Sequence, residues 1–251
     1  MNSIDNVLAS RYASESMREI WAPEAKIRLE RQLWIAVMRA QQELGISIPK
    51  GIPEKYEAVI DTVNLESIAE RERVTKHDVK ARIEEFNDLA GAEHIHLGMT
   101  SRDLTENVEQ LQIRLSLIVT RDKSIAALDR LSGLAVAYSE LAMAGRSHNV
   151  AAQITTLGKR MATFAEELLF AVERLEELID AYPLRGIKGP VGTAQDMLTL
   201  LDGNVEALSK LESQVATHLG FNNLFTSVGQ VYPRSLDFEV TALLVQLASG
   251  P

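Results

Sequence analysis

An apolar stripe of great length constrains this chain more than any other feature. From Leu104 the positions Leu104, Val108, Leu111, Leu115, Ile118, Ile125, Leu128, Leu131, Ala135, Tyr138 and Leu141 recur at steps of three or four, with one gap of seven. A 3.6-residue period over that span predicts one helix of about 40 residues, roughly 60 Å long. A second stripe runs through Ile154, Leu157, Met161, Phe164, Leu168, Val172, Leu175 and Leu178 and stops near Tyr182-Pro183. Neither helix can bury its apolar face alone, so two such helices in antiparallel order belong in a bundle, and both stripes read as core packing. The expected fold class is all-α: an N-terminal helical domain over 1–103, then the first part of a long-helix bundle over 104–251.

Shorter patterns fill in the rest. Residues 1–22 read as an irregular lead. Pro23 opens a helix whose apolar positions Ile27, Leu29, Leu33, Trp34, Val37, Met38, Ala40 and Leu44 repeat at helical spacing before Gly45 stops it. Two short helices are expected over 54–63 and 65–73, and Thr75 is expected to cap a helix from Asp78 to Leu89. Further helices are expected over 204–219 and from 236 to 247.

Polar turns between these patterns carry the candidate chemistry. Ala144 to Thr156 reads as a short turn joining the two long helices, with Gly145 for a tight bend, Ser147 and Asn149 as cap formers, and His148 able to carry a proton near neutral pH. His77 lies between Lys76 and Asp78. His94 and His96, two residues apart, point to opposite sides of an extended segment and find no third ligand at a metal-binding spacing, so no metal site is expected. Thr100 and Ser101 instead offer hydroxyls beside a helix N-terminus, which favours anions. Gly186 to Thr193 is a Gly-rich turn that resembles a phosphate loop loosely, without the Walker spacing. Ser227 to Ser235 is a second turn whose side chains can bind carboxylate or phosphate.

Bulk properties exclude some classes. With a net charge of -9 and interspersed signs, no nucleic-acid or anionic-membrane surface is expected. The chain contains no cysteine, which removes disulfides, thiolate metal sites and a thiol nucleophile. No secretory signal and no bilayer-spanning run is read, so the expected location is cytoplasmic.

Taken in order, Arg11-Tyr12, Thr75-Lys76-His77-Asp78, His96 to Asp103, Arg146-Ser147-His148 with Thr155-Thr156, and Gly229-Gln230 resemble the substrate-site motifs of the adenylosuccinate lyases, a branch of the fumarase and aspartase superfamily. The resemblance extends over the whole chain. Argininosuccinate lyases and fumarases look less similar, because the Met-Thr-Ser-Arg-Asp run and the Arg-Tyr lead resemble the purine branch. It implies an anti-elimination that cleaves adenylosuccinate to AMP and fumarate, with the same cleavage of the succinyl-carboxamide ribotide, and no metal or organic cofactor. By the same resemblance His148 is the acid, assisted by Ser147 and His77. Thr100, Ser101 and Gln230 bind the succinyl part, Arg11 and Tyr12 the nucleotide end, and Lys76 and Asp78 line the site. Ser147 and Lys76 stand where family members often have Thr and Arg, keeping a hydroxyl and a positive charge. A homotetramer with sites shared between chains is also implied. The family's flexible Ser-Ser-x-Met-Pro-x-Lys loop, which carries the base serine, is not among these residues. The chain is therefore expected to be roughly the N-terminal half of the enzyme and inactive alone. Two other readings are an allied lyase releasing fumarate from a different succinyl substrate, and a non-catalytic helical interaction module.

Overall fold

The computed structural model describes residues 6–249 and is dominated by helices. Where an irregular lead was expected, the chain forms α1 (Val7–Tyr12) and α2 (Glu15–Trp21). Each is too short to show a helical period, and each is set by its cap: Asn6 accepts from the backbone N–H groups of Leu8 and Ala9, and Ser14 from that of Met17. Then come α3 (Pro23–Glu43), with proline in its first turn, α4 (Ile52–Glu57), α5 (Leu65–Thr75) and α6 (Asp78–Ala90). Thr75 does not cap α6. It ends α5, and the cap is His77, whose side chain accepts the Lys80 N–H.

Next are α7 (Ser101–Ala137), strands β1 (Ala142–Ser147) and β2 (Val150–Thr156), α8 (Leu157–Ala181), β3 (Pro183–Leu184), α9 (Gln195–Leu200), α10 (Val205–His218), β4 (Asn223–Leu224) and α11 (Ser235–Ala248). At 37 and 25 residues, α7 and α8 bear out the two long stripes. The all-α expectation holds, with two small two-stranded ladders added. The chain forms two compact units, one through Ser116 together with Tyr182–Pro233, the other from Leu117–Ala181 and from Arg234 onward. The 103/104 division expected from the sequence falls near the start of α7.

The first unit is built on α3. Trp34 stacks on Phe86 at 6.2 Å between ring centroids, and Tyr56 meets the same ring edge-on at 4.9 Å. The Arg31 guanidinium lies over Phe86 and pairs with Glu85 at 2.5 Å, both buried. It also donates to the carbonyls of Val59 and Ile60, pinning the connection between α4 and α5. The Tyr56 hydroxyl accepts from the His94 N–H and lies 2.7 Å from the Ala92 carbonyl, so the loop that leads into α7 is anchored to this core.

In the second unit, the expected helix-to-helix turn at 144–156 is a β-hairpin. β1 and β2 pair antiparallel from Ala142↔Thr156 to Ser147↔Val150, with an irregularity at Gly145/Arg146. His148 and Asn149 both have positive φ, 50° and 63°, the geometry of a two-residue type I′ turn. Val150, Ile154, Thr155 and Thr156 are β-branched, which favours extended backbone over helix. At the hairpin's base α8 touches the last turn of α7: the Gly158 N–H donates to the Tyr138 carbonyl, and a Cβ on Gly158 would lie 2.3 Å from the Ala135 carbonyl oxygen.

That close approach gives a paired test by urea or thermal unfolding. Gly158→Ala must push two backbones apart and should destabilise by about 2–3 kcal/mol. Gly133→Ala, in α7 with nothing within 4 Å of the added methyl, should instead stabilise by about 0.5–1 kcal/mol through helix propensity.

Candidate active site

The site in the first unit is organised by one buried carboxylate. Asp103 has no solvent exposure, and its oxygens accept four hydrogen bonds: Oδ1 from Arg185 Nη1 at 2.5 Å and from the backbone N–H groups of Lys188 and Gly189 at 2.9 Å each, Oδ2 from the Thr100 N–H at 2.8 Å. The Thr100 bond is the return half of a capping box that starts α7. The Gly-rich turn therefore does form an anion cradle, and the anion is the protein's own Asp103. Arg185 continues outward, donating through Nη2 to the carbonyls of Gly189 and Gly229. The Tyr232 N–H donates to Glu106 of α7, so the turn carrying Gln230 is tied on both sides to the start of α7. The fit is tight, since a Cβ on Gly192 (φ 85°) would overlap the Val228 carbonyl oxygen.

Beside this knot, α6 and α7 present their first turns to a common cavity of about 510 Å³ lined by residues that include Lys26, His77, Asp78, Ser101 and Arg102. His77 Nδ1 accepts the Lys80 N–H at 3.2 Å, so in the neutral ring Nε2 carries the hydrogen and donates to Ser101 Oγ at 3.3 Å. Asp78 Oδ1 stands 3.6 Å from His77 Nδ1, and Asp78 Oδ2 is held by Arg82. The neutral imidazole thus uses both nitrogens, on the Lys80 N–H and on Ser101, and Asp78 stands beside Nδ1 as the partner for a cation. The wall sets two cations, Lys26 and Arg102, against two carboxylates, Asp78 and Glu109, and with the hydroxyls of Ser101 and Thr105 and a helix N-terminus it suits a polar substrate and can move a proton at its edge. His96 differs in character: burial lowers its pKa to about 4, and its Nδ1 accepts the Trp34 indole N–H at 2.9 Å. It is a half-buried histidine packed edge-on against Trp34.

Residues 7–230 match the model of a family described as lyase. The chain belongs to this lyase family. It is 32% identical over 247 residues to the adenylosuccinate lyase of Saccharomyces cerevisiae, covering 96% of this chain and 51% of that protein. It is also 32% identical over 243 residues to the adenylosuccinate lyase of Methanocaldococcus jannaschii, covering 95% and 51%. This lyase chain spans about half the length of the curated relatives it matches. Among solved structures it is similar to a fumarate lyase from Mesorhizobium sp. BNC1, with a TM-score of 0.77 and 22% identity over 94% of this chain and 54% of that one. A 3-carboxy-cis,cis-muconate lactonizing enzyme from Pseudomonas putida gives a TM-score of 0.78 at 20% identity over 96% and 55%. These two likenesses establish the fold.

Of the residues singled out in the sequence, the first unit of this lyase chain gathers His77, Asp78, Thr100 and Ser101 at one place, with Gln230 on a turn fastened to the same helix start. Lys76 precedes them as the exposed left-handed C-cap of α5 (φ 54°). Arg11 and Tyr12 end α1 and are exposed, Tyr12 at 77%. His148 lies on the hairpin of the second unit, exposed, with Nδ1 3.0 Å from Ser147 Oγ. Sequence reading had Arg102 only within the His96 to Asp103 run and missed Trp21, Lys26, Thr105, Glu109 and Gln112 on the cavity wall. Ser101, Thr105, Glu109 and Gln112 repeat at helical spacing and were legible as one face of α7; Trp21 and Lys26 arrive only through folding.

Asp103→Asn replaces an acceptor with a donor among four donors and strands Arg185 in the interior. It should cost about 3–5 kcal/mol of stability. Because both groups act in one network, Asp103→Asn with Arg185→Met should cost less than the sum of the single changes, by about 1–3 kcal/mol in a double-mutant cycle from urea unfolding. Strict additivity would show that the two side chains are not coupled.

Proposed function

We propose that this chain is the N-terminal part of an adenylosuccinate lyase, cleaving adenylosuccinate to AMP and fumarate and succinyl-aminoimidazole-carboxamide ribotide to its carboxamide ribotide and fumarate, in purine nucleotide synthesis in the cytoplasm. The observation that carries the reading is the pairing of His77 Nε2 with Ser101 Oγ over a polar cavity with Lys26 and Arg102 on its wall, in a chain whose curated relatives are adenylosuccinate lyases. In the complete enzyme 1–103 serves as the N-terminal domain and the helices from 104 onward as the shared bundle.

The chemistry is an anti β-elimination. A base takes the proton from the carbon beside a succinyl carboxylate, the electron pair forms the fumarate double bond, and the C–N bond breaks toward a nitrogen that is protonated as it leaves. His148 donates that proton, assisted by Ser147 and His77. Thr100, Ser101 and Gln230 bind the succinyl group, and the N–H groups at the start of α7 stabilise charge that builds on its carboxylate. Arg11 and Tyr12 hold the nucleotide end, and Lys76 and Asp78 line the site. No cofactor takes part. The base is supplied from outside these residues, and the sites are shared between chains of a homotetramer.

In the complete protein His148→Gln should lower kcat by about 10²- to 10⁴-fold, with KM little changed. Near wild-type turnover would remove His148 as the acid. Mixing inactive His148→Gln and His77→Gln proteins should recover fumarate release, through mixed sites that hold both intact histidines, and failure to recover would place the two histidines of one site on one chain.

The 251-residue chain alone should bind substrate weakly and release no fumarate in a continuous absorbance assay. Without proton abstraction, leaving-group protonation gains little rate. Turnover by this chain would locate the base within it.

A further inference from the structure

Behind the cavity lies a cluster of charge that the proposed chemistry does not use. Glu30 of α3 has no solvent exposure and Arg82 of α6 is 7% exposed. Arg82 divides its guanidinium between two carboxylates: Nη1 donates to Glu30 Oε1 at 3.0 Å, and Nη2 to Asp78 Oδ2. Asp78 in turn offers its free oxygen, Oδ1, to His77. One cation thus serves two anions, the buried Glu30 and the exposed Asp78. Glu30 Oε2 and Arg82 Nε have no hydrogen-bond partner among the described residues.

We infer that Arg82 and Glu30 are positioning residues for the His77 site: they hold Asp78 at a fixed reach of the imidazole and set how much of its negative charge His77 feels. This deepens the proposed function and rests on it for its consequence in catalysis. Around Glu30 the charged groups are Lys26 and Arg31 of its own helix and Arg82 and Asp78 of α6, and Arg31 is already committed to Glu85. Around His77 they are Lys76 and Asp78 beside it, Lys26, Arg102 and Glu109 on the cavity wall, and His96 of the loop between α6 and α7. Burial raises the Glu30 pKa to about 7, against the opposing pull of Arg82. Near neutral pH Glu30 is therefore partly protonated, and Arg82 leans toward Asp78. As pH rises and Glu30 ionises, it draws on the same guanidinium, and Asp78 presents more charge to His77.

The direct readout is the NMR titration of the His77 imidazole in the purified chain, its resonance identified among the five histidines by its loss in His77→Gln. Arg82→Met unshields Asp78 and should move the His77 midpoint up by about half a pH unit or more. Glu30→Gln leaves Arg82 to Asp78 alone and should move it down by a few tenths of a unit. The double variant Glu30→Gln with Arg82→Met removes both buried charges and so guards against misfolding; its midpoint should still move up. A midpoint that stays at the wild-type value in the double variant, or that moves the same way in both single variants, overturns the inference, because a merely structural ion pair would behave so. In the complete protein the pH limb of kcat/KM that reports His77 should follow these shifts with KM little changed. Shifted His77 titrations without fumarate release from any form would reject the lyase assignment and leave the positioning role standing, whereas fumarate release with unmoved titrations would do the reverse.

Discussion

The first unit depends on saturation of the Asp103 carboxylate. An ionised carboxylate without exposure is tolerable only when its acceptor positions are filled, and here a guanidinium and three backbone N–H groups fill them. The donors come from the turn before α7 and the Gly-rich loop after β3, and Arg185 reaches on to the turn at Gly229. Three polar loops far apart in sequence are brought to one helix start by one charge, and the residues beside that charge, Thr100 and Ser101, inherit its rigidity.

His77 shows a related economy. As the N-cap of α6 it spends Nδ1 on the Lys80 N–H, which fixes the ring and leaves Nε2 facing Ser101. A cap is normally an Asn, Asp, Ser or Thr, side chains that accept but do not titrate near neutral pH. A histidine in that place couples the start of a helix to a proton, and Asp78, the first residue of that helix, gives the protonated ring an alternative partner. Local structure and candidate chemistry are thus the same few atoms.

The long stripes were legible because α7 and α8 each repeat their apolar period several times over, so the signal accumulates. The hairpin between them was not, because Ala144 to Thr156 is mostly small or polar and exposed. Its strands are fixed by pairing and by two residues in left-handed conformation, His148 and Asn149, neither of which imposes a period on the sequence. The short helices α1 and α2 escaped for lack of length, although Asn6 and Ser14 are ordinary cap residues. The start of α7 could have been read more closely, since Thr100 and Asp103 stand at capping-box spacing.

By itself the sequence determined the helical class, the two long helices and the candidate polar residues His77, Asp78, Thr100, Ser101, Gln230 and His148, because period and side-chain chemistry are local properties. Tertiary structure alone decided which of these meet. It placed Trp21 and Lys26 on the wall of the His77 cavity. It turned the Gly-rich loop from an apparent phosphate cradle into the seat of Asp103, and it set Glu30 and Arg82 behind Asp78. These pairings join residues tens of positions apart through burial and hydrogen-bond saturation, and such long-range terms leave no spacing in the chain from which they could be read.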